Sequence, residues 1–184
     1  NTRPKLSFLP EDDGSDPTNP PGLDPNVGRQ TTDFTYTVVY TDTDRYAGVA
    51  GNPPDYIRVV IDSSSKYDMS KLNPNDNDYT DGVTYTFSIN GLAEGTPHQY
   101  YFEASDGLDR DRLPDFRAVP NYFAGPVVDE PPGPPQSLLA QDTPNDNGGS
   151  ISLTWNPSLD DGGGADDVVE YHVYRSETSG SYAP

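Results

Sequence analysis

An all-β fold, built as two β-sandwich units joined by a proline-rich spacer, is what this sequence predicts. Three observations carry the prediction. Apolar residues recur at a period of two in several stretches, as in Phe34-Thr-Tyr-Thr-Val-Val-Tyr40, whereas no window sustains the 3.6-residue stripe of an amphipathic helix. Twenty Pro and 17 Gly among 184 residues break helices and suit many short strands joined by turns. The hydrophobic content is low, at 32%, but 13 Tyr and 6 Phe supply bulky side chains to fill a core between sheets.

Residues 5–9 read as a first edge strand. Residues 10–28 hold acids, prolines and glycines with almost no apolar side chain, so they are expected to form a long surface loop. Residues 33–41 alternate Phe34, Tyr36, Val38 and Tyr40 against Thr35, Thr37, Val39 and Thr41, a half-buried strand with β-formers on both faces. After a loop over 43–54, residues 55–61 put Ile57, Val59 and Ile61 on one face. Tyr67-Asp-Met69 reads as a short edge strand ahead of the polar loop 73–82, and residues 84–89 turn Tyr85, Phe87 and Ile89 inward.

The stretch from Gly91 to Gly107 organises the rest. Leu92 ends one element, Glu94-Gly95 turns the chain, and Tyr100, Phe102 and Ala104 then share a strand face. Ser105-Asp-Gly107 closes that strand with turn residues. A last strand over 124–128 brings the expected count in residues 1–128 to seven, the number in one sandwich. A leucine, a glycine turn and a tyrosine opening the next strand resemble the corner of immunoglobulin-like and fibronectin type III sandwiches. That resemblance implies a tyrosine hydroxyl satisfying nearby backbone.

Asp129-Glu-Pro-Pro-Gly-Pro-Pro135 marks the boundary, since proline at this density favours an extended, semi-rigid spacer. In the second unit, residues 136–184, strands are expected over 135–142, 150–155 and 168–175. Their motifs are Pro135-X-X-Leu-X-Ala140, Ile151-X-Leu-X-Trp155 and Tyr171-X-Val-Tyr-Arg175. In this order they are similar to the first half of a fibronectin type III domain. Half a sandwich leaves Ile151, Leu153, Trp155 and Val173 facing water, and a lone small sheet is marginally stable. Either further modules follow in a tandem array, or another chain supplies strands by β-augmentation.

A net charge of −19 excludes nucleic acid and anionic membrane as partners, because phosphate repels such a surface. Zero Cys excludes disulfides and thiolate metal sites. No apolar run reaches the length of a membrane-spanning helix. Opening at Asn1 without a signal peptide suggests a processed chain or an excerpt.

Acidic loops are the candidate sites. Asp42 and Asp44 follow the second expected strand, and Asp106 and Asp109 follow the sixth. The immunoglobulin-type resemblance implies that these loops share a pole, where hard oxygen ligands suit Ca²⁺. Asp160, Asp161, Asp166 and Asp167 crowd the loop 159–167; they repel one another unless a cation sits among them, and the same resemblance points that loop back at the spacer. Aspartate is also ordinary turn chemistry, so the alternative is a set of turn caps. His98 and His172 lack a partner pattern, and neither Gly-X-Ser-X-Gly nor His-Glu-X-X-His occurs. Tyr46, Tyr79, Tyr101, Tyr122 and Phe123 are the aromatics expected on loops or outer faces, where flat rings stack on sugars or pack against protein.

These features predict a non-enzymatic structural or adhesive module of an extracellular or cell-surface protein. It would form part of a stalk, sheath or filament, with neighbouring modules or identical subunits as partners and calcium as a stiffener. The alternative is a carbohydrate-binding accessory module of a secreted hydrolase, with polysaccharide as partner.

Overall fold

The computed structural model describes residues 2–12, 20–44, 48, 50–145, 147–163 and 166–175. The chain is all-β and divides into two compact units, residues 1–130 and 131–184.

In the first unit the alternating stretches become the strands that carry the core. β1 (Lys5–Ser7), β2 (Leu23–Asp24), β3 (Val27–Gly28), β4 (Phe34–Thr41), β5 (Tyr56–Ile61), β6 (Ser65–Asp68), β7 (Ser70–Lys71) and β8 (Val83–Ile89) lead to the central β9 (Gln99–Ser105). β10 (Arg110–Leu113), β11 (Phe123–Ala124) and β12 (Val127–Val128) follow. One antiparallel sheet runs β1-β4-β8-β7 with β2 also on β4; the other runs β10-β9-β5-β6 with β11 also on β9. β12 pairs in parallel with β3. The arrangement is consistent with a β-sandwich.

The alternation along β4 buries Phe34, Tyr36, Val38 and Tyr40, and β9 buries Tyr100, Phe102 and Ala104. With Ile57, Val59, Ile61, Val83 and Tyr85 they form one hydrophobic cluster between the sheets. Rings meet edge to face, with centroids 5.0 Å apart for Tyr36–Tyr100 and 5.6 Å for Tyr100–Phe102. Such contacts add to the area buried. Among the described residues, the Tyr36 hydroxyl and Asp167 Oδ1 are the buried side-chain polar atoms without a hydrogen-bond partner. A buried unsatisfied hydroxyl is a cost, so Tyr36→Phe is expected to stabilise the first unit by about 1 kcal/mol, read by urea denaturation.

Two expectations for this unit are corrected. Residues 10–28 are not wholly a surface loop, because Leu23 is buried in the core and β2 and β3 pair with β4 and β12. The strand expected over 124–128 is instead two short ones, β11 on β9 and β12 on β3, with Gly125-Pro126 between them. Proline has no N–H to continue a ladder.

The corner also differs from the expected one. The Tyr100 hydroxyl donates to the Pro21 carbonyl at 2.6 Å, 79 positions away, and so ties the 20–22 segment down. His98 holds the local turn: Nε2 lies 2.8 Å from the Ala93 carbonyl and Nδ1 lies 2.9 Å from Asp62 Oδ2. The histidine is thus a buried structural residue at the edge of the core. Removing both contacts in His98→Ala is expected to cost about 2 kcal/mol or more, measured by chemical denaturation.

The second unit contains β13 (Gln136–Asp142) and β14 (Ile151–Asn156), an antiparallel hairpin with an irregularity between Gln136 and Leu139. Register places Ala140 opposite Leu153 and Asp142 opposite Ile151, so Ile151, Leu153 and Trp155 share a face. Residues 168–175, expected as a third strand, form no ladder with any described residue. Alternation supplies propensity, but a strand also needs a hydrogen-bonding neighbour. Tyr171 anchors the segment instead, its ring 6.1 Å from Trp155.

Candidate functional site

The pole of the first unit where β4 ends is stitched together by backbone. The Asp42 N–H donates to the Tyr79 carbonyl and the Tyr79 N–H to the Ala50 carbonyl, each at 2.8 Å. Asp42 is only 2% exposed. Its Oδ1 accepts the Asp44 N–H at 2.9 Å, and its Oδ2 lies 3.4 Å from the Tyr40 hydroxyl, which also reaches the Asn52 carbonyl at 3.2 Å. Asp44 accepts from the Thr2 hydroxyl at 2.7 Å and from the Thr2 N–H. Asp106 accepts the Leu108 and Asp109 N–H groups at 2.8 and 2.6 Å, and Asn52 Nδ2 at 3.3 Å.

Asn52 links the two loops: its Nδ2 donates to Asp106, and its carbonyl accepts the hydroxyl of Tyr40, which lies beside Asp42. Burial raises the Asp42 carboxyl above the usual carboxylate range, and the charges of Asp44 and Asp106 add to the rise. The Thr2 donors hold Asp44 below that range. Asp109 joins the group through its N–H to Asp106 and its carbonyl, which accepts the Ser105 hydroxyl at 3.0 Å. These are turn-capping bonds, the pattern in which aspartate side chains replace a missing backbone partner.

In the second unit the acidic loop closes on itself and on the spacer. Asp160 Oδ2 accepts the Gly133 N–H at 2.7 Å, which ties the loop to the proline-rich stretch. Asp161 Oδ2 accepts the Tyr171 hydroxyl at 3.0 Å, and that hydroxyl in turn accepts the Ser158 N–H at 2.7 Å. Asp166 Oδ1 accepts the Gly162 N–H at 2.9 Å, while Asp167 keeps its buried, unpartnered Oδ1. His172 sits exposed, 2.8 Å from Glu170.

The described residues include no group of three or more acidic or histidine side chains arranged to hold a metal ion. Calcium at either loop is therefore put to a melting experiment. With calcium as a stiffener, as the acidic loops suggested, the unfolding midpoint is several degrees lower in EGTA than in CaCl₂, and equal midpoints would remove calcium from the account. A ligand held only by the native state stabilises it, which is why the comparison reads occupancy directly.

The aromatics expected on the surface are sorted differently. Tyr79 is buried in the core, with its ring 6.0 Å from Tyr40, and Phe123 packs against Phe8 and Tyr100. Tyr46 lies outside the described residues. Tyr101 lies on the outer face beneath Arg112, whose guanidinium is 3.8 Å from the ring centroid, and Tyr122 stays exposed.

Around Tyr101 the outer face of the β10-β9-β5-β6 sheet aligns Arg112, Glu103, Arg58 and Asp68 across four strands. Arg58 pairs with Asp68 at 2.6 Å and Lys66 with Glu103 at 2.9 Å. These long side chains lie over the sheet, and Val60 beneath them is fully buried.

One surface feature escaped the reading by alternation. The loop after β10, Leu113-Pro-Asp-Phe-Arg-Ala-Val-Pro120, presents Phe116 and Val119 to solvent, 58% and 97% exposed. Its signal in the sequence was two large apolar residues between two prolines, off the period of two. No protein-family model matches this chain, and no curated protein shows significant similarity to it.

Proposed function

We propose that this chain is a structural, non-catalytic module of an extracellular or cell-surface protein, one that spaces or assembles copies into a stalk, sheath or filament. The resemblance to immunoglobulin-like and fibronectin type III modules belongs to this reading. The observation that carries it is the contrast between the two units. The first closes its apolar residues into one core and covers an outer face with ion pairs. The second leaves Leu138, Ile151, Leu153, Trp155 and Val173 uncovered, which is a surface made for association rather than for chemistry.

The location is tested on cells. Antibody against the first unit is expected to label intact, unpermeabilised source cells and to follow the surface or filament fraction. Labelling only after permeabilisation would overturn the reading.

A further inference from the structure

We propose that His98 and Asp62 form a proton-operated latch between the β5–β6 turn and the corner ahead of β9, closed while both ring nitrogens of His98 carry a proton and loosened when one leaves. The latch belongs to the first unit alone and is independent of any assembly.

Both nitrogens face oxygens that accept. Nε2 lies 2.8 Å from the Ala93 carbonyl and Nδ1 lies 2.9 Å from Asp62 Oδ2. A neutral imidazole has a single N–H, so it leaves a lone pair against one of these two oxygens. Filling both contacts takes a second proton, wherever between Nδ1 and Oδ2 it sits. Burial works against a charged ring, and the His98 side chain is only 3% exposed. The Asp62 carboxylate, 39% exposed, offsets that cost by making the pair neutral as a whole. The other ionisable groups at this corner are Glu94, which accepts the Glu130 N–H at 3.3 Å, and Glu130 itself. On the core side stands the Tyr36 phenol, raised by burial and then by Asp62 and Tyr67. The segment against the His98 carbonyl, Ala124-Gly-Pro-Val127, has no ionisable side chain. The acids favour a charged ring and the phenols are neutral near neutral pH.

The latch holds more than itself. Asp62 and Ser63 take φ of +51° and +62°, a region disfavoured for residues with a side chain. The start of β9 keeps them there. The Asp62 N–H donates to the Gln99 carbonyl at 2.8 Å, Asp62 Oδ1 accepts the Gln99 N–H at 3.2 Å, and Gln99 Nε2 donates to the Ser63 hydroxyl at 2.8 Å. The Gly125 N–H donates to the His98 carbonyl at 2.9 Å. One proton thus bears on the β5–β6 turn, the corner and the β11–β12 connection together.

A histidine in an unfolded chain titrates at about pH 6.5. A proton held more tightly by the native state gives stability that is full below that pH and is lost as the pH rises through the native pair's own titration. Urea denaturation of the full chain, followed by tyrosine near-ultraviolet dichroism, is expected to show the unfolding constant of the first unit rising roughly tenfold from about pH 5.5 to about pH 8.5. The buried Asp42 acts in the same direction, so the readout is the difference from Asp62→Asn. There the amide NH₂ donates to Nδ1 while Nε2–H keeps the Ala93 carbonyl, so a neutral ring fills both contacts. That variant is expected to fold and to lose the tenfold change. Nitrogen NMR of the wild type reads the proton itself: at about pH 7 both ring nitrogens of His98 are expected to be protonated. Parallel pH profiles for wild type and Asp62→Asn would overturn the latch, as would one bare ring nitrogen on His98 at that pH. If Asp62→Asn fails to fold, the nitrogen spectrum decides.

Discussion

Phe102→Ala is expected to lower the stability of the first unit by about 3–5 kcal/mol. Phe102 is fully buried on β9, the strand flanked by β10, β11 and β5, and its ring meets Tyr100 at 5.6 Å and Phe8 at 6.1 Å. Truncation removes apolar area and leaves a cavity between two sheets whose backbones are fixed by their ladders, so little collapse can offset it. A domain of this size has only about 5–15 kcal/mol in hand. The thermal midpoint should therefore fall by roughly 10–15 °C. Ten of the 13 tyrosines lie in the first unit, so near-ultraviolet dichroism from tyrosine reports mainly on it, while the emission of the single tryptophan, Trp155, follows the second. A midpoint within a degree or two of wild type would mean that the sheets do not share the interior described above. Substituting the exposed Val119 by Ala is the control, expected to change stability by less than about 0.5 kcal/mol.

Gly51→Ala is the second large effect, expected to cost about 2–5 kcal/mol. Gly51 has φ +83°, and a Cβ built on it would lie 2.3 Å from the Asp42 carbonyl oxygen and 2.6 Å from Tyr79 Cβ. The nearest obstacle is backbone, so no rotamer change relieves it. The loop would have to lift away from the end of β4, straining the Asp42–Tyr79 and Tyr79–Ala50 hydrogen bonds together. Gly91→Ala separates the two causes. Its φ is +76°, but no atom lies within 4 Å of its added Cβ, so it carries only the conformational cost of about 1–2 kcal/mol. Equal losses for the two substitutions would sink the steric account. The comparison also reports on the acidic pole, since the strand end that positions Asp42 is the one Gly51 packs against.

Much of the first unit was legible because burial in a sheet follows a two-residue period that any local window contains. Phe34, Tyr36, Val38, Tyr40, Ile57, Val59, Ile61, Tyr85, Tyr100, Phe102 and Ala104 all face the core as their spacing indicated. The shared apolar face of Ile151, Leu153 and Trp155 on β14 was legible too, since alternation is a local property.

Tertiary structure alone decided what each segment pairs with. Leu23 sits among acids and prolines yet becomes core because β2 adds to β4, and nothing within a few residues of it encodes that strand. Tyr79, in a polar loop, turns inward because its backbone is claimed by Ala50 and Asp42. His98 rather than a tyrosine holds the corner, because Tyr100 finds its acceptor at Pro21 instead. Residues 168–175 alternate as well as any strand in the first unit, but no ladder partner stands beside them among the described residues. Local pattern thus determined which face of a segment is apolar. The partner that face meets depended on contacts distant in sequence, whose geometry no short window contains.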